Sequence, residues 1–214
     1  MSTPSSHRRT AGSLLVCLLV LGLLTWLDLG TKDWALEHLS RPQPVATGGV
    51  CLANEQGYVY PQRLPQPAQV LIEGFLELRY AENCGAAFGV LNHGPAWLRL
   101  ALFGPAAIAA ALGLVWLYWR GYGGVLFAVG VPLIASGAIG NLVDRFRFGY
   151  VVDFIRFHIR NAFVWPTFNV ADVTITVGVI LLVLEGFITP QASKSTKASA
   201  RGGEGVASGA DSAR

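Results

Sequence analysis

Asp28, Asn141, Asp144, Asn169 and Asp172 stand at the edges of long apolar stretches in this chain, with Lys32 and Arg145 beside them and Asp153 in the segment Gly149-Tyr-Val-Val-Asp-Phe154 between two of the stretches. Ionisable groups in or next to a membrane-length apolar segment are costly to keep there, and by default they mark function. Two carboxylates brought close together cannot both ionise, so they share one proton. The ionised member can then deprotonate a water while the protonated member hydrogen-bonds the carbonyl under attack. That arrangement hydrolyses an amide with neither a covalent intermediate nor a metal. Helix capping is the plainer account of any one of these groups, since Asp172 would favour a helix N-terminus by itself. A proton or ion relay is the rival use of the whole set.

Other hydrolytic chemistries are poorly served. The chain lacks a Gly-x-Ser-x-Gly nucleophile elbow. Cys84 has no evident histidine partner, although His93 is near in sequence, and His158 stands alone without zinc-ligand spacing. Three cysteines (Cys17, Cys51, Cys84) are too few for a disulfide scaffold, and none forms a Cys-x-x-Cys pair.

The elements that must position these groups follow from composition. Of 214 residues, 52% are hydrophobic and 14% charged, with a mean hydropathy of +0.46; a soluble domain carries about 25% charged residues. A disordered chain, a collagen-like fibre and a soluble enzyme are thereby excluded. The net charge of +3 is too small and scattered for nucleic acid. Four uncharged stretches approach the ~20 residues of a membrane-spanning helix: between Arg9 and Asp28, between Arg99 and Arg120, from Gly121 to Val143, and from Val170 to Ile188. The first also has the charge and apolar core of a signal peptide. No small-x-small cleavage site closes it, so it reads as a retained helix. With alternating helix directions, the end of the first helix, the end of the third and the start of the fourth share one membrane face. The four aspartates and two asparagines gather there. Which face that is, the arginines and lysines do not decide, because both sides carry them.

Residues 40–69 hold five prolines and three glycines and read as an irregular loop. Leu76–Tyr80 alternates Leu-Glu-Leu-Arg-Tyr, the period of a half-exposed strand, so a small β-rich cap is expected beside the helices. Residues 191–214 are rich in Ser, Ala and Gly without apolar periodicity, the composition of a disordered tail.

Five segments occur in a telling order: Asp28-Leu-Gly-Thr-Lys32, Asn83-Cys-Gly-Ala-Ala-Phe-Gly89, Gly137-Ala-Ile-Gly-Asn-Leu-Val-Asp-Arg145, Gly149-Tyr-Val-Val-Asp-Phe154 and Phe168-Asn-Val-Ala-Asp172. Through them the chain resembles lipoprotein signal peptidase (signal peptidase II), a bacterial membrane aspartic protease that cleaves the signal peptides of prolipoproteins. Each segment alone is a weak signal, while the last three, closely spaced, are specific. The family's catalytic aspartates fall on Asp153 and Asp172, 19 residues apart (172 − 153). Ser136 replaces a usual glycine, Leu29-Gly30 replaces the usual pair after the first Asp, and the 40–69 loop, which carries Cys51, is longer than typical.

The resemblance implies an all-α membrane protein with four transmembrane helices and a small extracytoplasmic β-rich platform. Residues 1–10 would be a cytoplasmic tail, 11–190 the peptidase domain with its platform in loop 29–95, and 191–214 a second cytoplasmic tail. The implied enzyme is a monomeric endopeptidase of the bacterial inner membrane. Its partners would be membrane lipids and diacylglyceryl-modified prolipoproteins, cut just before the lipidated cysteine, with no metal or organic cofactor. Asn83, Asn141, Arg145 and Asn169 resemble residues that hold the dyad or the substrate backbone. Asp144 resembles a positioning residue, and Asp28 and Lys32 would support the fold where the first helix meets the cap. Cys51 and Cys84 would share an oxidising compartment, as a disulfide or as two free thiols. The runner-up function is a small four-helix transporter using the same aspartates.

Overall fold

The computed structural model describes residues 8–43, 50–52, 59–85, 96–160 and 162–188. Four helices dominate it: α1 (Ala11–His38), α2 (Ala96–Trp119), α3 (Val125–Phe148) and α4 (Val170–Ile188), each long and apolar enough to cross a membrane. His93, both chain ends and most of the 40–58 loop lie outside the described residues.

Two helices run further than the charges suggest. Asp28 and Lys32 do not end α1, because they form an i,i+4 ion pair that the helix itself closes. The helix continues to His38 and stops a few residues short of Pro42. Asp144 and Arg145 likewise lie inside α3, which ends at Gly149. That residue takes a left-handed conformation (φ 81°), and its N–H donates to the Arg145 carbonyl. Only such a cap lets the chain turn at once from α3 into a strand.

α3 is the hub, packing against α1, α2 and α4. Glycine lets it approach α4 closely: a Cβ on Gly130 would stand 2.9 Å from the Gly178 carbonyl oxygen, and one on Gly178 equally near that of Gly130. Outward faces are apolar, with Leu19, Trp26, Leu112 and Phe187 all exposed, as side chains facing lipid should be.

The platform has two antiparallel sheets. β1 (Ser40–Pro42) pairs with β2 (Arg63–Pro65), and β3 (Gln69–Ile72), β4 (Leu76–Asn83), β5 (Val151–Ile159) and β6 (Phe163–Val164) follow in that order in the second. The expected strand at Leu76–Tyr80 is β4. The platform is not confined to residues 29–95, however, because β5 and β6 come from the segment between α3 and α4. Two β-branched valines open β5: Val152 buries in the platform core of Leu36, Leu39, Tyr80 and Phe154, while Val151 is buried on the opposite face. Glu82 fastens β2 to β4 by accepting the N–H groups of Gln62 (2.8 Å) and Arg63 (2.9 Å) and the hydroxyl of Tyr80 (3.0 Å). Burial pushes its carboxyl above the ordinary glutamate range.

Candidate active site

Asn169 and Asp172 begin α4 as a reciprocal cap. The Asp172 N–H donates to Asn169 Oδ1 (3.0 Å), and the Asn169 N–H donates to Asp172 Oδ2 (3.3 Å). The capping role allowed for Asp172 is therefore present, and it leaves Oδ1 to accept from Asn141 Nδ2 of α3 at 2.9 Å. Asp153, fully buried on β5 opposite Ala81, accepts from Asn169 Nδ2 (2.6 Å) and Asn83 Nδ2 (3.0 Å). One asparagine, Asn169, thus touches both aspartates.

Orientation of these amides is dictated from behind. Lys32 Nζ donates to Asn141 Oδ1 at 2.8 Å, which leaves the Asn141 NH₂ to face Asp172. The same ammonium sits 2.8 Å from Asp28 Oδ2 and 3.3 Å from Asp144 Oδ2, all three side chains being out of solvent. A lysine so deep survives only because its donors are met by acceptors. Each aspartate then holds backbone that carries a site residue. Asp28 Oδ1 accepts the N–H of Ala171 (2.8 Å), one residue before Asp172. Asp144 Oδ2 accepts the N–H of Val152 (3.0 Å), one residue before Asp153. Gly140 makes room for Asp28, whose carboxylate any Cβ there would strike.

Asp28 and Lys32 therefore tie α1 to α3, to the start of α4 and, through Asp144, to β5 of the platform. Arg145 reaches the other way, donating to the Asn141 carbonyl and to the Gly85 carbonyl, both at 3.0 Å. All nine residues singled out in the sequence fall into one connected network.

The surroundings of Asp153 favour its protonated form. Burial, followed by the negative charge of Asp172, pushes its pKa up to about 8 against the lowering hydrogen bonds from Asn83 and Asn169. Asp172 is only partly buried and opens on two cavities. One, of about 590 Å³, is lined by Asn83, Asn141, Arg145 and the Trp165–Phe168 segment. The other, about 680 Å³, is walled by Phe75, Ile155, Phe157, Phe163 and Val177 and is almost wholly apolar. Sequence reading missed this aromatic wall. Its signal is the Phe and Trp spacing along β5 and β6.

A buried protonated carboxyl beside a more accessible one supplies a hydrogen-bond donor and a base within one site. The family model for signal peptidase II (Peptidase_A8) matches residues 20–188. The lipoprotein signal peptidase of Ralstonia nicotianae is 38% identical over 164 residues, spanning 77% of this chain and 84% of that protein. That of Clostridium tetani is 33% identical over 169 residues, spanning 79% and 89%. A bacterial membrane enzyme solved by the in meso method at 1.9 Å shares the fold, with a TM-score of 0.61 at 23% identity over 86% of this chain and 97% of that one. The sequence match runs across all four helices and the platform between them, and by it the chain belongs to the signal peptidase II family of aspartic proteases.

Proposed function

We propose that this protein removes signal peptides from diacylglyceryl-modified prolipoproteins, with Asp153 and Asp172 as its catalytic pair. The observation that carries the reading is their joint attachment to Asn169, with one carboxyl buried and the other open to both cavities. The pair holds one proton. Its ionised member takes a proton from water, and the resulting hydroxide adds to the scissile carbonyl, which the protonated member polarises. Collapse of the tetrahedral adduct delivers a proton to the departing amine. Roles belong to the pair, since close carboxyls titrate jointly.

Asn83, Asn141 and Asn169 hold the dyad, Asp144 and Arg145 position the strand and loop around it, and Asp28 and Lys32 support α4 and Asn141 from behind. The apolar cavity at Asp172 suits an acyl chain, each buried CH₂ contributing ~0.8 kcal/mol. On this reading the platform faces away from the cytoplasm in the bacterial inner membrane, residues 1–10 and 191–214 are cytoplasmic, and the enzyme works as a monomer. The transporter reading is not carried forward, because the family match is to a protease.

Purified protein given lipidated and unlipidated forms of one precursor tests the proposal. The lipidated form should be shortened at the bond before the modified cysteine. Equal rates for the two forms would count against it.

A further inference from the structure

The β4–β5 ladder ends at the pair Asn83↔Val151. Asn83 is the last paired residue, and among the described residues no strand pairing holds Cys84 and Gly85, yet a site contact lies on each side of Cys84. Asn83 Nδ2 donates to Asp153 Oδ2 at 3.0 Å, and its Oδ1 accepts the N–H of Gly85 at 3.2 Å, closing an Asx turn around Cys84. The Gly85 carbonyl in turn accepts from Arg145. The residue in the middle of this turn is disulfide-bonded to Cys51, 33 positions away, with Cα atoms 5.6 Å apart. Both cysteines are buried, at 1% and 6% exposure, among Leu36, Leu39, Tyr80 and Val152. Either of the two arrangements left open by the sequence would fill this core, but only the bonded one clamps the turn to it.

We propose that the Cys51–Cys84 disulfide is a positioning device for catalysis: it takes over where strand pairing stops and holds the Asn83 amide on Asp153 and the Gly85 carbonyl on Arg145. The inference rests on the peptidase reading above. The turn meets the site through two side-chain hydrogen bonds, and a shift of about 1 Å in a catalytic group can cost on the order of a hundredfold in rate. The bridge therefore acts on turnover rather than on substrate capture, and it does so through Asn83.

The test is a double-mutant cycle on the full-length protein in lipid, with a lipidated precursor as substrate. The bridge is removed by Cys51→Ser with Cys84→Ser, in the wild type and in Asn83→Ala. In the wild-type background kcat should fall by about tenfold or more with KM within about threefold, while in the Asn83→Ala background the further loss should be under about threefold. Equal fold losses in both backgrounds, a loss confined to KM, or kcat within about twofold of wild type would each overturn the inference. Should the serine variant fail to fold, wild type is reduced by a dithiol, which takes up the oxidised state as its own disulfide while the bridge becomes two thiols. Its kcat should fall and return on reoxidation, and an unchanged kcat overturns the proposal. Wild type that cleaves no precursor refutes the peptidase reading itself, an outcome distinct from a wild type that cleaves equally well without its bridge.

Discussion

Lys32→Met removes one ammonium and keeps a side chain of similar length, and the structure says what that costs. Asp28 and Asp144 would be left buried with no counter-charge, since Lys32 Nζ lies 2.8 and 3.3 Å from them. Breaking a buried ion pair by removing one partner costs about 3–5 kcal/mol, more than the pair itself contributes, because the stranded charge cannot be rehydrated. Asn141 Oδ1 also loses the shorter of its two donors and keeps only Asn169 Nδ2 at 3.2 Å, so its NH₂ is held less firmly toward Asp172. Lys32→Met should therefore lose about 3–5 kcal/mol in reversible unfolding in mixed micelles, and most of its activity. Asp28→Asn separates the electrostatic part, for asparagine still accepts from Ala171 N through Oδ1. Combining the two changes should cost less than their sum by about 1–3 kcal/mol. Additive costs, or a Lys32→Met loss below about 1 kcal/mol, would refute the claim that one ammonium balances this cluster.

Two further outcomes are expected. Because Asp153 titrates near 8 rather than at the ordinary 3.8, cleavage should fall as pH rises through about 8 and the pair loses its shared proton; the sign is the same for stability, which declines as pH rises from the unfolded value toward the folded one. An alkaline limb in the kcat profile checks this, and a rate flat to pH 10 contradicts it. Gly140→Ala places a methyl group against the Asp28 carboxylate and should cost about 1–3 kcal/mol of overpacking, read as a lowered melting temperature, with unchanged melting as the contrary result.

The parts legible in the sequence are those whose physics is local. Four apolar runs specify four helices because a bilayer demands about 20 such residues in a row, and the alternation at Leu76–Tyr80 specifies β4 because side chains on a strand change face at every residue. The ends of α1 and α3 were misplaced because a charged residue reads as a boundary in one dimension. Asp28 and Lys32 are neighbours on a helix face, and their partners Asp144 and Asn141 come from another helix. β5 escaped notice because its polar positions, Asp153, Arg156 and His158, hid the buried Val151, Val152 and Phe154. Site residues were found as motif segments, but their mutual contacts were not: nothing local announces that Asp28 holds the backbone N–H of Ala171, 143 positions away. The cysteine pair shows the same limit, since spacing leaves both bridge and free thiols open until the two Cα atoms stand 5.6 Å apart.

Single-turnover cleavage of a lipidated precursor by wild type, Asp153→Asn and Asp172→Asn tests the central claim most directly. Each variant is first shown to be folded by its melting in detergent. Asparagine keeps the shape and one hydrogen-bond acceptor at either position, but it can neither share the proton nor take one from water. Both folded variants should release no signal peptide on the timescale in which wild type completes the reaction. Substantial cleavage by either folded variant would contradict the account and remove that aspartate from catalysis.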